Sequence, residues 1–409
     1  MPDFCIDNIA ESCINVYQKL PKSGKPVKDE WTVLSGIAQF DTVTKVCDVV
    51  SLGTGSKCIG ASKMSSAGNI LNDSHAEVFA RRGFLIYLYE NIVYTIENKP
   101  SIFVKDKNKF KLKDNIQFIF YSSQMPCGDA SIMPKTRIED DVGDMIVSSK
   151  RDAQDDSCDI ESKRQKFDIH RTGAKCLPHT EQDPKKPGEN YHLLGQVRTK
   201  PGRGDRTLSV SCSDKMARWI HVGIQGALLD MFLSKPIFIN YFIFGAGVPY
   251  SEKALQRAFL KRNCDISIEK RLSYMPQFYQ CSKIFPHIRE ANNIRPASGS
   301  IVWVKTKSNL LEVAVQGQKL GLTKKKAHSL NCCLSISKHK LYKKFHEILL
   351  RDNELCNNIC GEELLSNIEY NKMKKKSERY VGHWRVTKET FFKIWTVKPD
   401  MWNFTLNNQ

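Results

Sequence analysis

Three short segments of the 409-residue chain carry side chains that could hold a metal ion. The first has His75 in a His-Ala-Glu sequence, the second has Cys127 after a proline, and the third has Cys212 in Ser-Cys-Ser-Asp. One imidazole and two thiolates suit zinc, and three protein ligands leave the fourth tetrahedral position free for water. This donor set predicts a catalytic zinc site, not a structural one.

Glu77 follows His75 by two residues, so its carboxylate can lie beside the metal without binding it. Zinc lowers the pKa of a bound water to about 7. A carboxylate there can carry a proton from the water to a ring nitrogen and on to the leaving ammonia. The zinc deaminases share the pattern H-x-E followed by P-C-x-x-C. Ala130 replaces the second cysteine of that pattern, so the motif alone leaves open that His75 merely begins a helix.

The surrounding segments predict the elements that position these residues. Apolar spacing and capping residues predict helices over 8–20 (after a possible Asp7 cap), 75–90 (after capping residues at 72–74) and 216–232. Apolar runs predict strands over 43–52, 116–121 and 237–244, and alternation predicts a hairpin over 301–315. The last hundred residues are helical in pattern and rich in lysine. We therefore expect the metal ligands near helix N-termini, whose partial positive charge favours a thiolate.

The overall charge favours a polyanionic partner. The chain has 62 Lys and Arg against 44 Asp and Glu, a net charge of +18 and a pI of about 9.2. Nucleic acid is the first candidate for such a chain, although solvated lysines alone give the same balance. The 14 cysteines are irregularly spaced and residues 1–20 contain no apolar run of signal length, so we expect an intracellular protein with reduced thiols, in the nucleus or the cytoplasm.

Two stretches have unusual composition. The most apolar one, over 226–250, is interrupted by Asp230, Lys235 and Pro236, so we expect a buried helix and strand and no membrane span. From about 147 to 190 periodicity is lost, which predicts a flexible insertion. A basic cluster at 163–166 within it is either a solvated charge run or a nuclear-localisation signal.

A downstream segment accounts for the cysteine missing at Ala130. Residues 211–219 read SCSDKMARW, and one branch of the zinc deaminases carries its third ligand in such a segment. The chain resembles that branch, the adenosine deaminases acting on RNA and their tRNA-specific relatives. The likeness extends to five further segments, which are SLGTGSKC at 51–58, NDSHAEVFARR at 72–82, SQMPCGD at 123–129, GQVRTKPG at 195–202 and VGIQGALL at 222–229.

The resemblance implies a fold and an active site. The fold would be α/β, a cytidine-deaminase-like three-layer α/β/α arrangement with a mixed central sheet and C-terminal helical additions, forming a single deaminase domain over 1–409. Zinc would be bound by His75, Cys127 and Cys212, and Glu77 would be the proton shuttle. The residues expected near the substrate nucleotide are Ser56 and Lys57.

The same resemblance implies a buried inositol hexakisphosphate. Arg81 and Arg82 fit this expectation, because they are adjacent on a helix with many apolar positions and buried cations need compensation. A relay of Asp73, Lys200, Ser209 and Lys215 would link the polyphosphate to Cys212. The implied ligands are Asn72, Arg81, Arg82, Lys215, Arg218, Trp219, Lys319, Tyr370, Lys374, Tyr380, Trp395 and Lys398.

Two departures from the editing enzymes favour the tRNA-specific relatives. The segment before His75 is too short for a double-stranded-RNA-binding domain, and the loop at 201–205 is short. The predicted reaction is zinc-dependent deamination of the adenosine immediately 3′ of the anticodon in alanine tRNA, by a monomer that takes no small-molecule substrate. An unpaired loop adenosine costs little to extrude.

Four alternatives stay open at this stage. The chain could deaminate duplex RNA or free nucleosides, or it could be an inactive RNA-binding relative. It could also be a structural zinc protein, with a fourth ligand from His287, Cys332 or Cys333. We interpret those three as ordinary core or surface residues.

Overall fold

The computed structural model describes residues 2–406, except for 136–167, 203–204, 263–271, 273, 291–292, 324–325 and 327–328. The basic cluster at 163–166 and the first part of the expected insertion, 147–167, lie outside the described residues. No helix within the described ranges has the length and apolarity needed to cross a membrane.

A mixed sheet of eight strands forms the centre of the molecule. Two neighbouring pairs, β3–β4 and β4–β5, are parallel, and all other neighbours are antiparallel. The order across the sheet is β5-β4-β3-β1-β2-β6-β7-β8. The strands are β1 Leu34–Asp41, β2 Cys47–Thr54, β3 Ile116–Ser122, β4 Tyr241–Ala246, β5 Gln277–Ile284, β6 Gly299–Val304, β7 Leu310–Val315 and β8 Gln318–Lys319.

Helices cover both faces of this sheet. Successive residues of β3 alternate between the two layers: Ile119 packs in the core beneath α1, whereas Phe118 and Phe120 pack in the core beneath α2. This arrangement is the expected three-layer α/β/α fold with C-terminal helices. The helices are α1 Ile6–Lys19, α2 Ala76–Ile96, α3 Cys212–Val222, α4 Gly226–Phe232, α5 Glu252–Gln256, α6 Lys338–Leu349, α7 Asn353–Cys360, α8 Tyr370–Lys375 and α9 Glu378–Thr387.

Shorter elements complete the described chain. Single π-helical turns follow α5 and α9 at Arg257–Lys261 and Lys388–Phe392. The 3-10 turns are Ala61–Lys63, Asp129–Ser131, Gly188–Tyr191, Leu330–Cys332 and Leu365–Asn367. The short strand pairs are Glu30–Trp31 with Arg295–Pro296, Ser56–Cys58 with Asp73–His75, Phe103–Asp106 with Lys109–Leu112, Met133–Pro134 with Ile169–His170, and Lys175–Cys176 with Arg198–Thr199.

Several boundaries differ from the sequence prediction. The helix predicted over 216–232 is two helices, because Gly223 and Gly226 have φ angles of 95° and 76° that end one helix and begin the next. The strand predicted from 43 begins at Cys47, because Asp41 Oδ1 accepts backbone hydrogen bonds that form a turn. Asp7 does not cap α1; its carboxylate instead accepts hydrogen bonds from Ser282.

Part of the stretch predicted to be flexible has regular structure. Within the described residues 168–191, the chain forms two short strands and a 3-10 turn. A buried ion pair holds this part of the chain in place, and the periodicity of the sequence cannot reveal such a pair. Arg198 is fully buried, and both of its terminal nitrogens lie 2.6 Å from the Asp183 carboxylate.

Candidate functional site

Glycine contacts place His75 and Glu77 at the start of α2. An added Cβ on Gly53 of β2 would lie 2.5 Å from Ala76 O in the first turn of α2, so only glycine allows this close approach. Ala76 N then donates to Gly55 O over 3.0 Å. The helix therefore begins at the carboxyl end of β2, an interior strand of the sheet, and this places His75 and Glu77 there.

Cys127 is held by the loop that leaves β3. Its neighbour Gly128 has a φ of 105°, and a Cβ there would lie 2.3 Å from Ser211 Oγ. The Cys127 carbonyl accepts hydrogen bonds from Ser213 N at 3.0 Å and from Ser213 Oγ at 2.9 Å. These contacts tie the second ligand to the start of α3.

Cys212 is the first residue of α3. Ser211 caps that helix, because its side chain accepts from Asp214 N. The Cys212 Sγ lies 3.6 Å from His75 Nδ1, and Cys127 Sγ lies 3.9 Å from the same nitrogen. All three donor atoms fall within 4.8 Å of one another. The three ligands predicted from separate segments thus converge at one point.

A buried lysine supplies positive charge beside the thiols. Lys200 Nζ donates to Cys212 Sγ at 3.0 Å and to the Asp73 carboxylate at 2.8 Å. Burial lowers the pKa of Lys200, but the charges of Asp73 and Cys212 raise it well above its ordinary value. Asp73 also accepts from Lys215, so this carboxylate lies between two ammonium groups.

The pKa values of the two cysteines shift in opposite directions when no metal is bound. A hydrogen bond from Cys212 holds the pKa of Cys127 well below its usual range, assisted against burial by the charges of Lys200 and His75. Burial and the charge of Cys127 raise the pKa of Cys212. A second thiolate therefore needs another cation nearby, and bound zinc would supply it.

The donor set and one unpartnered atom both fit zinc. Glu77 is 3% exposed, and its Oε2 is buried without a hydrogen-bond partner. A carboxylate in this condition is costly unless something in the site uses it. A second group, formed by Cys58, Asp73 and His75, also has ligand atoms close together. There, however, Cys58 donates to Asp73, and that carboxylate is already paired with Lys200.

A cavity of about 460 Å³ opens onto the ligands. Its wall contains His75 and Cys127 together with Ser56 and Lys57, the two residues expected to face the nucleotide. The Ser56 hydroxyl is buried and has no hydrogen-bond partner among the described residues. The lining also includes Gly173 and Ala174, from the segment predicted to be a flexible insertion.

A second cavity, of about 260 Å³, lies behind the metal ligands and is termed the cation cavity here. No carboxylate is among the described residues that line it. Two guanidinium nitrogens there, Arg82 Nη2 and Arg218 Nε, are buried without partners. The predicted polyphosphate ligands that line it are Arg81, Arg82, Lys215, Arg218, Trp219, Tyr370, Lys374, Tyr380, Trp395 and Lys398.

Burial and the crowding of like charges lower the pKa values of several basic groups in the cation cavity. Burial lowers the pKa of Arg81 to about 10, and Arg82 and Arg218 add to the effect. The pKa of Lys398 falls to about 8 through burial and the neighbouring Lys215. Such a cluster fits a polyanion with several phosphate groups, since each would compensate a buried cation.

The structure leaves three predicted residues outside these roles. Lys319 does not line the cation cavity, because its ammonium pairs with Glu312 at 3.0 Å. Asn72 also lies outside the lining; its Nδ2 donates to Met64 Sδ, although its Oδ1 is buried and unpartnered. Ser209 meets the relay through its backbone, where its carbonyl accepts from Lys200 N at 2.8 Å.

Sequence reasoning missed Lys338, which is not among the described residues that line the cation cavity but lies near several of its cations. Burial and the charges of Arg82, Lys398, Lys374 and Lys215 hold the pKa of Lys338 well below its ordinary value. The position of Lys338 could have pointed to a nearby anion, because Ser337 caps α6 and Lys338 is the first residue of that helix. A cation is unfavourable at a helix N-terminus unless an anion is nearby.

The three spare candidates for a fourth zinc ligand lie elsewhere. The His287 ring packs against Tyr17 and Phe285, with centroids 5.7 and 5.6 Å away. The Cys333 thiol bonds to Ser337 and Leu330 O. Within the described part of the chain, neither they nor Cys332 joins the donor cluster.

Comparison with known proteins agrees with this geometry. The adenosine-deaminase (editase) domain model matches residues 51–399. The chain is 37% identical to the tRNA-specific adenosine deaminase 1 of Drosophila melanogaster, over 96% of this chain and 95% of the relative. The Homo sapiens protein of the same name is 32% identical over 96% of this chain and 98% of its own. The double-stranded RNA-specific editase Adar of Drosophila melanogaster is 30% identical, over 69% of this chain and 38% of that protein.

Proposed function

This chain belongs to the adenosine-deaminase (editase) family and is an enzyme that deaminates adenosine, and on that premise we propose that it converts adenosine to inosine in tRNA with a catalytic zinc ion. The observation that carries the zinc proposal is the convergence of His75, Cys127 and Cys212 beside the unpartnered carboxylate oxygen of Glu77. The names of the most fully aligned relatives support tRNA as the substrate.

The residues divide the chemistry between them. Bound zinc would supply the positive charge that ionises water near neutral pH. Glu77 accepts the proton released by water, donates it to the adenine ring nitrogen, and moves a further proton to the departing ammonia. Lys200 stabilises the negative charge of Cys212 throughout. Ser56 and Lys57 face the nucleotide from the cavity wall.

We further propose alanine tRNA, at the adenosine immediately 3′ of the anticodon, as the substrate. An anticodon-loop adenosine is unpaired or easily extruded, so it can enter the cavity without a dedicated duplex-binding module. The net charge of +18 supports affinity through contacts with the phosphate backbone.

Inositol hexakisphosphate is the proposed occupant of the cation cavity. The support is chemical: the lining is cationic, its described residues include no carboxylate, and two of its guanidinium nitrogens lack partners. Arg81, Arg82, Lys215, Arg218, Lys374 and Lys398 would neutralise its phosphates, and the tyrosines and tryptophans of the lining would enclose it.

The test measures inosine in transcripts of alanine tRNA, with the wild type and the Glu77→Gln variant. Wild type should form inosine next to the anticodon. The variant should be about 10²–10⁴-fold slower, because the proton shuttle is lost while its size is kept. Zinc content, measured by atomic absorption, should be unchanged in Glu77→Gln.

Other outcomes would redirect the proposal. Inosine formed only in long duplex RNA would move the enzyme to the duplex-editing class. A Glu77→Gln variant as active as the wild type would refute the assigned proton shuttle. A fully active wild type without bound metal would refute the zinc mechanism.

A further inference from the structure

The segment at 168–193 contacts the loop of one zinc ligand. Thr172 Oγ1 accepts a hydrogen bond from Gly128 N at 3.1 Å, and Gly128 directly follows Cys127. Gly128 has a φ of 105°, and the hydrogen bond from its N to Thr172 can stabilise this positive-φ conformation of the loop. Gly173 and Ala174, just after Thr172, line the substrate cavity.

The Thr172 backbone is held in turn by a buried histidine. Thr172 N donates to His192 Nε2 over 3.3 Å, so that nitrogen must be the acceptor. The hydrogen on the His192 ring is therefore on Nδ1, which lies 3.0 Å from Asp183 Oδ2. His192 is 7% exposed, and this pairing fixes the orientation of its ring.

Asp183 connects this histidine to the turn that carries the other cysteine. Its carboxylate makes a bidentate pair with Arg198, whose own N donates to Asp214 Oδ2 at 2.9 Å. Arg198 O accepts from Ser211 N at 2.7 Å, and Ser211 Oγ lies 2.6 Å from Asp214 Oδ2. Ser211 is the cap that precedes Cys212.

We propose that Thr172 is a positioning residue that, through His192, Asp183 and Arg198, fixes the Cys127 loop relative to the turn that carries Cys212. It touches neither substrate nor metal and acts by holding the spacing of the two sulfur atoms. Residues that orient metal ligands in this way tune metal affinity even though they do not bind the metal. The inference rests on the zinc site of the proposed function.

The test uses the full chain with Thr172→Val and the matched control Thr172→Ser. Valine keeps the branched shape and removes the hydroxyl, so Gly128 N loses its acceptor. Serine keeps the hydroxyl and removes a methyl group. Zinc affinity is measured by competition with a chelator, and site geometry by the thiolate-to-cobalt absorption of the cobalt-substituted protein. Melting of the zinc-free protein reports on general folding.

Thr172→Val should weaken zinc binding by about 10–100-fold and alter the cobalt spectrum. Thr172→Ser should bind zinc and cobalt like the wild type. Unchanged zinc affinity and an unchanged cobalt spectrum in Thr172→Val would overturn the inference, and so would a Thr172→Ser variant as impaired as Thr172→Val. Both variants could lose stability to the same extent when zinc is absent. If their zinc affinity then falls only in proportion to that loss, the positioning role is also refuted.

Failure of the proposed function would look different. A wild type that binds neither zinc nor cobalt would refute the zinc site itself, before any variant is compared. A wild type that binds both metals normally, with a Thr172→Val variant that does the same, refutes only the role of Thr172.

Discussion

The zinc cluster and the cation cavity are both buried groups of ionisable side chains, yet they differ in how their charge is compensated. Around Cys212 the chain supplies its own partner, because the buried Lys200 donates both to the thiol and to Asp73. In the cation cavity the described lining includes no carboxylate, and burial depresses the pKa values of Arg81 and Lys398. The donors of the first region fit one small cation, whereas the cationic lining of the second fits a polyanion.

This difference predicts how each region behaves before its ligand binds. A donor cluster with internal partners is largely formed before its metal binds, so a small ion completes it. A cluster of like charges lowers the free energy of unfolding until a ligand binds, and the ligand then becomes part of the core. Asp73 joins the two regions, because Lys200 beside the thiols and Lys215 in the cation cavity both donate to its carboxylate.

The largest expected effect comes from replacing Lys200 with methionine. Lys200→Met should weaken zinc binding by about 10–100-fold, because the thiolates lose a charge that lies 3.0 Å from Cys212 Sγ. Affinity for inositol hexakisphosphate should change little, since Lys200 does not line the cation cavity. Chelator competition and calorimetric titration measure the two affinities.

Lys200→Arg, which keeps the charge, is the control for this variant. It should retain more zinc affinity than Lys200→Met. Equal zinc binding by wild type and Lys200→Met would show that the donors need no internal partner, which would remove the distinction between the two regions.

The next prediction is that replacing Lys338 changes the melting temperature in opposite directions without and with inositol hexakisphosphate. Lys338→Met removes one of several crowded cations, so the ligand-free protein should melt higher than the wild type, by a shift on the order of 2 °C. With inositol hexakisphosphate bound, the same variant should melt lower, because it loses a positive charge close to the cations that would hold the phosphates. Melting of phytase-treated protein, with and without added ligand, checks both signs.

The pH dependence of this stabilisation has a definite direction. Lys338 has a folded pKa well below the ordinary 10.5, so between those values the unfolded chain binds more protons than the folded one. Stability of the ligand-free wild type therefore rises with pH in that interval, and the advantage of Lys338→Met shrinks toward pH 10.5. An advantage that grows with pH would contradict the crowding of charge.

The smallest effect is expected at Lys319. Its pair with Glu312 is 42% exposed on the lysine side, and Glu312 keeps hydrogen bonds from Ser335, so Lys319→Met should cost less than about 1 kcal/mol of unfolding free energy. Affinity for inositol hexakisphosphate should stay at the wild-type value. A loss of affinity equal to that of Lys338→Met would extend the cation cavity to Lys319.

Much of the fold could be predicted because local patterns were strong. The hairpin over 301–315 follows from alternation, the strand at 116–121 from an apolar run and the helix after His75 from the capping residues at 72–74. They appear at β6–β7, β3 and α2. The helix over 216–232 was predicted as one element because two glycines within an apolar run do not by themselves reveal positive φ angles.

The prediction failed where a contact joins distant segments. Order in 168–190 depends on the pair between Asp183 and the buried Arg198, and composition alone made this stretch look flexible. Lys319 was predicted as a polyphosphate ligand and Lys338 was not considered, because lysines in a basic C-terminal region look alike in sequence. Only packing shows that Lys319 pairs with Glu312, whereas Lys338 lies near the cations of the cation cavity.

The sequence by itself determined the chemistry of the site: one imidazole, two thiols and a carboxylate in three short segments, together with the excess of positive charge. Those properties follow from residue type and short-range spacing. Tertiary structure alone decided which charges are compensated by the chain, which are left for a ligand, and that Thr172 contacts the Cys127 loop. Such contacts join residues far apart in sequence, and their free energy depends on burial, which no local pattern records.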